Sequence, residues 1–316
     1  MSISKYPDGF SDGVAILGMP VLNLYGGDVY WVSSDSGSAD STGQKGDFDM
    51  PFATIDYAIG RCKANNGDQI FVKPRHSETV TGVAGIALDV AGVTITGFGR
   101  GASKPTILMD GAATVTAAVT AANVVVKGLR FSAGHADVAS CFVVTAADFM
   151  LEDVDFIDNA ANENWLSPVD TTGAAAEAAS GLSITDCTWT SVDAGCLGFV
   201  KIVEDISRIT VERCVLNVDL ATNVRILLVT AAKDQRGQLL IDNFISSANG
   251  NGVTSISDNA TTTANSGFVV RNRCKHLDTT TTHLLFPAGG IGACTHDNQS
   301  TSVVTLQGFL LPVVDS

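Results

Sequence analysis

The sequence predicts an all-β protein, specifically a right-handed parallel β-helix in which short, similar repeats stack into a solenoid. A motif of alternating apolar residues, followed by a small or polar residue and a second short run, recurs seven times. Its copies are Val93–Phe98, Val124–Phe131, Phe149–Phe156, Leu182–Trp189, Ile209–Leu216, Leu239–Ile245 and Phe268–Cys274. Aligned on the small or polar position, the copies are about 29 residues apart on average, which is within the range of solenoid repeats.

The aligned position is typical of a sharp backbone bend. Its members are Gly97, Gly128, Asp153, Asp186, Arg213, Asn243 and Asn272. Six of the seven are Gly, Asn or Asp, the residues that enter the left-handed backbone conformation most readily. Each repeat is therefore predicted to be a strand, a bend and a second strand.

The apolar residues before each bend are two positions apart, as expected for one face of a strand. The pairs are Val93 and Ile95, Val124 and Val126, Phe149 and Leu151, Leu182 and Ile184, Ile209 and Val211, Leu239 and Ile241, and Phe268 and Val270. Stacking these faces buries a core that no single repeat could close. A β-sandwich with chance self-similarity is the alternative.

Composition agrees with a β-rich fold. The chain has 316 residues, 45% of them hydrophobic and only 16% charged, with 31 Gly and 8 Pro. We expect no membrane span, because no apolar run approaches the ~18 residues that one needs. The opening MSISKYPDGF lacks a basic flank and an apolar core, so we expect no signal peptide. A net charge of −14, with 19 basic against 33 acidic residues, argues against nucleic-acid binding.

Cysteine and histidine usage predicts neither disulfides nor a metal site. The seven cysteines include no Cys-x-x-Cys pair, and the five histidines are scattered. We interpret the cysteines as small buried apolar residues of a protein made in a reducing cytoplasm. No phosphate-binding loop or nucleophile elbow is present, and we expect no cofactor.

Residues 1–27 precede the repeats and form a predicted N-terminal arm. The arm is too apolar for a flexible tail, so it packs either on its own domain or on another protein. The residues predicted to bind a partner are Tyr6, Phe10, Val14, Ile16, Leu17, Val21 and Leu22.

Residues 28–80 are predicted to close the N-terminal end of the solenoid. A strand over Asp28–Ser33 is followed by a polar loop, whose aspartates do not have the spacing of an EF-hand. Pro51–Ala64 is predicted to be a helix, because Phe52, Ile55, Ile59 and Cys62 share one face. Residues 81–316 are predicted to form the β-helix and its C-terminal cap, to which the apolar last segment contributes.

A second apolar column predicts a homo-oligomer. Several strands between the bends are apolar at consecutive positions, which indicates cover on both faces. With no helix predicted to supply that cover, the partner is another copy of the chain. The residues assigned to this face are Phe142, Phe199, Leu228 and Leu285.

The sequence offers carboxylates but no clear active site. Glu152, Glu212 and Asp242 alternate with Lys127, Thr185 and Arg271 beside the bend, which is typical of a solvated face with paired charges. Glu152, Asp153, Asp155 and Asp158 are the densest acidic cluster, yet no Lys or Arg is evidently paired with two carboxylates. Trp165 and Trp189 are expected to pack in the core or to anchor a loop, and not to stack on a sugar ring. We expect no catalytic activity.

The N-terminal region resembles a known family. A strand, a polar loop, PFATIDYAI, a Gly-Asp pair and IFVKP are similar to the N-terminal cap of pectin-lyase-like right-handed β-helix proteins. The resemblance extends from about Asp28 to Cys274. It implies a parallel β-helix whose helix covers the first rung, in a family that includes lyases and hydrolases of acidic polysaccharides and that carries many activities.

The arm KYPDGFSDGVAILGMPVL resembles the openings of capsid decoration (cement) proteins. The resemblance implies a structural virion protein of a tailed bacteriophage, made in the host cytoplasm, that binds the major capsid protein. A trimer is implied by analogy with related β-helices. The alternative is a tailspike or polysaccharide lyase or hydrolase that binds or cleaves host carbohydrate, and a bacterial adhesin is a weaker third option.

Overall fold

A computed structural model describes the chain in eleven stretches. These are residues 14–16, 19–21, 27–35, 37–218, 223–230, 233–247, 253–258, 266–275, 293–296, 299–301 and 308–309.

Three sheets wind around one core, and successive turns of the chain add parallel strands to them. The exception is Gly308–Phe309, which pairs antiparallel with Gln299–Thr301. The first sheet contains β3 (Val29–Val32), β4 (Gln69–Val72), β7 (Thr94–Gly97), β10 (Val125–Lys127), β13 (Met150–Glu152), β16 (Ser183–Thr185), β20 (Thr210–Glu212), β24 (Gln238–Ile241), β27 (Gly267–Val270) and β29 (Ala293–His296). The second contains β5 (Ser77–Thr81), β8 (Thr106–Asp110), β11 (Arg130–Ala133), β14 (Asp155–Asp158), β17 (Thr188–Ser191), β21 (Val215–Val218), β25 (Phe244–Ser246), β28 (Arg273–Lys275), β30 (Gln299–Thr301) and β31 (Gly308–Phe309).

The third sheet contains β6 (Ile86–Leu88), β9 (Ala117–Val119), β12 (Phe142–Val144), β15 (Val169–Asp170), β18 (Gly198–Ile202), β22 (Asn223–Val229) and β26 (Val253–Asp258). Outside these sheets, β1 (Val14–Ile16) pairs antiparallel with β2 (Met19–Val21), and β19 (Ile206–Ser207) pairs with β23 (Gln235–Arg236). The one described α-helix is α1 (Ile55–Ile59), and Gly101–Ser103 form a 3-10 turn. The parallel β-helix predicted from the repeats is confirmed.

The inward column of the first sheet matches the prediction in five repeats. Val126 pairs with Ile95 on one side and Leu151 on the other, and all three are buried. For the last two repeats the predicted inward residues are one position out of register. Leu240 and Val269 are the buried residues, and Phe268 is 53% exposed.

The bend follows the first sheet and is occupied by residues with positive φ. They are Gly128, Asp153, Asp186, Arg213, Asp242 and Arg271, with φ between 52° and 65°. The prediction is therefore confirmed for four repeats and wrong for Asn243 and Asn272, which lie one residue later and are buried. Gly97 is not among the positive-φ residues; a Cβ there would lie 2.4 Å from Gly128 O, so glycine permits close backbone approach.

The buried asparagines form a short ladder inside the bend. Asn243 Nδ2 donates to Val211 O at 2.8 Å and to Asn272 Oδ1 at 2.9 Å. Asn272 Nδ2 donates to Leu240 O at 2.7 Å. Because Asn suits both a left-handed bend and a buried ladder, sequence alone did not separate the two positions.

The N-terminal end of the solenoid is covered, although the helix is shorter than predicted. Helix α1 spans five residues rather than Pro51–Ala64: Thr54 caps it by accepting a hydrogen bond from Tyr57 N, and it ends at Gly60. Phe52 lies before the helix and donates its backbone N–H to Trp31 O at 2.8 Å.

The first strands of the second and third sheets are covered by side chains. Asp56 Oδ1 of α1 accepts from Ala87 N of β6 at 2.8 Å, and Ser34 Oγ accepts from Ser77 N of β5 at 3.0 Å. Pairing these amides keeps the edges from recruiting another chain.

The consecutive apolar residues of the third sheet face the core. Phe142 and Phe199 are 1% and 0% exposed; Phe142 packs on Phe131, and Phe199 on Trp189. The assignment of Phe142 and Phe199 to a subunit interface is therefore wrong, because an internal aromatic stack already covers them. Leu228 is only half-buried and pairs with Lys201, whereas Leu285 lies outside the described residues.

Candidate functional site

An open depression of about 390 Å³ lies where the first sheet bends into the second. It is lined by Gly99, Arg100, Gly101, Lys104, Arg130, Asp153 and Asp155. Lys104 Nζ lies 3.0 Å from Asp153 Oδ1 and 3.1 Å from Asp155 Oδ1. Arg130 Nη2 lies 3.2 Å from Asp155 Oδ2. We call this group the Lys104 depression.

Four successive rungs build the Lys104 depression. Arg130 begins β11 and pairs in register with Asp155, which begins β14. Thr188 on the next rung donates its hydroxyl to Asp155 Oδ1 at 2.9 Å. Lys104 precedes β8, so its side chain reaches the carboxylates from the rung before Arg130.

This cluster is the feature that sequence reasoning missed. The expectation that no Lys or Arg pairs with two carboxylates is wrong, since Lys104 contacts both Asp153 and Asp155. Lys104 lies outside the repeated motif, in a Gly-rich connection, so neither spacing nor periodicity marks it. Only the rung register brings it to carboxylates about 50 residues away.

The geometry of Lys104 suits a tether better than a general base. Its side chain is 5% exposed, whereas that of Asp153 is 64% exposed. A base must meet its substrate within hydrogen-bond reach, and here the two carboxylates occupy that position. The ion pairs instead hold the 99–104 connection against the bend.

The carboxylates predicted beside the bend are paired with basic groups. Glu152 Oε2 lies 2.5 Å from Lys127 Nζ, and Glu212 contacts Arg213. Arg271 contacts Asp242 through two nitrogens, each at 2.7 Å. The hydrogen bonds from Arg271 lower the pKa of Asp242. This pairing agrees with the interpretation of a solvated, charge-paired face.

Asp186 and Arg213 repeat that arrangement one turn earlier. Arg213 donates from Nε and Nη2 to the two carboxylate oxygens of Asp186 at 2.7 and 2.8 Å. The hydrogen bonds from Arg213 lower the pKa of Asp186. The bend residues therefore form a cross-braced column along the solenoid.

The tryptophan prediction is confirmed: Trp165 and Trp189 are both 0% exposed. The six cysteines with described side chains are free thiols. Five of them are buried, and burial raises the pKa of Cys196 and of Cys274 to about 12. The thiols of Cys196 and Cys274 therefore stay protonated at neutral pH.

The described part of the chain contains no group of three or more His, Cys, Asp or Glu side chains placed to hold a metal ion. It also contains no helix long and apolar enough to cross a membrane.

In the predicted arm, Val14, Ile16 and Val21 lie on the β1–β2 hairpin, whereas Tyr6, Phe10, Leu17 and Leu22 lie outside the described residues.

No family model and no curated protein sequence matches the chain. Solved structures of two proteins are among those similar to it. One is a rhamnogalacturonan lyase, with a TM-score of 0.45 and 10% identity, covering 84% of this chain and 87% of that one. The other is a GH136 lacto-N-biosidase from Eubacterium ramulus, with a TM-score of 0.44 and 11% identity, covering 87% of this chain and 68% of that one. Likeness at this level assigns no activity to the chain, whose parallel β-helix rests on its own strand pairing.

Proposed function

We propose that the protein is a structural virion protein of a tailed bacteriophage, a capsid decoration protein that binds the outside of the head and stabilises it. In this proposal it is made in the host cytoplasm and binds the major capsid protein as a homotrimer. The likeness of the arm to the openings of decoration proteins motivates the proposal. The observation that carries it is that the arm leads into β3, the end strand of the first sheet.

An arm at one end of a rigid body suits multivalent attachment. The cross-braced bend column and the covered N-terminal end make the solenoid a stiff platform. In a trimer, three arms share that platform, so each docking event after the first is intramolecular. Weak individual contacts then sum to tight attachment.

The geometry of the Lys104 depression supports a role without catalysis. Its amino group is enclosed by two carboxylates, and the carboxylates beside the bend have basic partners. Ion pairs of this kind brace a surface.

Deleting residues 1–24 tests the attachment. We expect the truncated chain to lose binding to particles that lack the decoration protein, while its circular dichroism spectrum stays that of the full chain. A control with Asp8→Asn and Asp12→Asn keeps every apolar residue of the arm and should still bind. Binding by the truncated chain would exclude the arm as the attachment segment.

A second candidate is a protein that binds or cleaves host polysaccharide. It is favoured by one observation in the Lys104 depression: Arg130 Nε is buried without a hydrogen-bond partner in the described part of the chain. A buried donor of this kind suits an acceptor supplied by a ligand.

Release of reducing ends from capsular or lipopolysaccharide preparations tests this candidate. Cleavage that is lost in Asp155→Asn but kept in Glu212→Gln would place the reaction in the depression. The absence of both cleavage and binding in the unmodified protein would exclude the candidate.

A further inference from the structure

Four aromatic side chains form a cluster on the outer side of the first sheet near its N-terminal end. We call Trp31, Phe48, Phe71 and Phe98 the aromatic patch. The ring centroid of Trp31 lies 5.0 Å from Phe48, 5.2 Å from Phe71 and 5.9 Å from Phe98. Phe71 and Phe98 are 5.3 Å apart.

The rung register places these rings together. Trp31 on β3 pairs directly with Phe71 on β4, and Phe98 follows β7 on the next rung. Neighbouring strands are about 4.8 Å apart, so outward residues on successive rungs meet at ring-contact distance. Rung register therefore positions three of the four rings, and the loop between β3 and α1 contributes the fourth, Phe48.

The loop residue Phe48 is held in place. Lys73 Nζ donates to Phe48 O at 2.7 Å and lies 4.1 Å from the ring centroid. The loop is also tied to β3, because Trp31 N donates to Gly46 O at 2.6 Å. A ring positioned in advance loses little conformational entropy when it binds a ligand.

The patch exposes apolar side-chain surface to water, and folding does not require that surface to be exposed. Phe48 is 57% and Phe98 39% exposed, whereas Trp165 and Trp189 are fully buried. Both exposed rings contact Trp31, so they form one apolar surface and not two isolated side chains.

We infer that the aromatic patch binds an uncharged glycan. The C–H face of a sugar ring packs on the exposed rings of Phe48 and Phe98 and on the half-buried ring of Trp31. The exposed carboxylates of Asp47 and Asp49, beside Phe48 in the same loop, accept hydrogen bonds from sugar hydroxyls.

Charge and size select this ligand over others. The chain has a net charge of −14, and at the patch the exposed carboxylates of Asp47 and Asp49 outnumber the Lys73 ammonium beside Phe48, so acidic glycans, nucleic acids and anionic lipids are disfavoured. At ~200 Å² per aromatic side chain, the exposed parts of Phe48 and Phe98 amount to about 190 Å². One partner contributes ~800 Å² to a standard protein interface, so the patch suits a sugar unit better than a protein surface.

The inference does not depend on the proposed function, because a virion protein and a carbohydrate-active protein could each carry such a patch. Phe98 directly precedes Gly99, which lines the Lys104 depression. Oligosaccharides are therefore more informative probes than monosaccharides.

Trp31 provides the measurement. Of the three tryptophans, Trp165 and Trp189 are fully buried, so a fluorescence change on adding a sugar reports on Trp31. The probes are cello-, malto-, xylo- and chito-oligosaccharides, with oligogalacturonate as the acidic comparison. We expect a saturable change with at least one neutral series and none with oligogalacturonate.

Variants locate the binding. We expect Phe98→Ser and Phe48→Ser each to weaken binding by about two- to twelvefold, as for loss of one aromatic contact. Phe268→Ser is the matched control, since Phe268 is equally exposed on the same sheet at the far end and should not affect binding.

Four results would overturn the inference. The first three are no response to any neutral series at millimolar concentration, tighter binding of oligogalacturonate, and weakening by Phe268→Ser but not by Phe98→Ser. Loss of particle binding in Phe98→Ser without any glycan binding would also overturn it, and would make the patch a protein contact.

Discussion

Asn243 shows how one residue supports several backbone groups of the bend. Its side chain donates to Val211 O and accepts from Cys214 N at 3.0 Å, all within the core. Earlier rungs place Cys187 and Cys214 at the corresponding position, also buried. The buried position after the bend therefore holds Cys in the earlier rungs and Asn in the later ones.

We predict that Asn243→Ala destabilises the protein by about 2–4 kcal/mol, because it leaves buried backbone groups without partners. Urea unfolding followed by circular dichroism measures the change. The control is Asn217→Ala, an exposed asparagine whose side chain accepts a hydrogen bond from Ser246 and, among the described residues, from no other; it should change stability by no more than about 0.5 kcal/mol. Equal effects of the two variants would contradict the ladder.

The ionised carboxylate of Asp158 is unfavourable in the folded protein. Burial raises the pKa of its carboxyl, and hydrogen bonds from Val192 N and Ser191 Oγ only partly offset that effect. Its Oδ1 atom is buried without a partner among the described residues. The folded protein therefore keeps this proton to a higher pH than the unfolded chain does.

Because the folded state binds this proton more tightly, ionisation of Asp158 destabilises the fold. Stability contributed at Asp158 falls as pH rises from the ordinary aspartate value of ~3.9 through the raised pKa. Asp158→Asn keeps an oxygen for Ser191 and Val192 and removes the charge, so we predict that it gains stability over the parent across that window and stays ahead at neutral pH. Paired unfolding curves over this range provide the check, and a variant that falls behind as pH rises would refute it.

At the scale of elements, the bend is defined by backbone conformation more than by charge. Its residues include Gly, Asp and Arg, which share positive φ and little else. For a residue with a Cβ, left-handed conformation costs ~1–2 kcal/mol. The column of ion pairs is therefore compatible with the bend but does not create it.

Two substitutions at Asp186 separate these causes. Asp186→Gly and Asp186→Val both remove the pair with Arg213, so their difference in stability isolates the backbone. We predict that the Val variant is less stable by about 1–2 kcal/mol. At the adjacent strand residue Thr185 the order should reverse, with Val more stable than Gly. The same order at both positions in thermal unfolding would contradict a left-handed bend at Asp186.

For the whole molecule, the homotrimer remains a prediction, now with less support. Phe142 and Phe199 belong to the core, so consecutive apolar residues no longer require a neighbouring subunit. Outward on the third sheet, Leu228 stands beside Lys201, which pairs with Asp170 at 2.8 Å.

We predict a mass of three chains in light scattering at micromolar concentration. If the third sheet is the contact, Leu228→Asp should shift the mass towards one chain, because an unpaired charge at an interface is costly. Val83→Asp, at an exposed turn before β6, should leave the mass unchanged. A single-chain mass for the unmodified protein would end the trimer hypothesis.

The sequence by itself determined the parallel β-helix. Alternation of apolar residues sets one inward face per strand, and Gly, Asp or Asn near a fixed spacing sets the bends. Both patterns are local, so they can be recognised in the sequence without a structure. They failed where Asn243 and Asn272 imitate a bend residue and at Gly97, which does not have the positive φ of the other bends.

The tertiary structure alone decided which groups meet. Lys104 contacts Asp153 and Asp155, and Trp31 contacts Phe71 and Phe98. Phe142 faces the core. All three arrangements depend on the register between rungs that are far apart in sequence. A displacement of one residue in a strand exchanges its inward and outward faces. Local patterns cannot fix such contacts, because they depend on how each rung is aligned on the one before it.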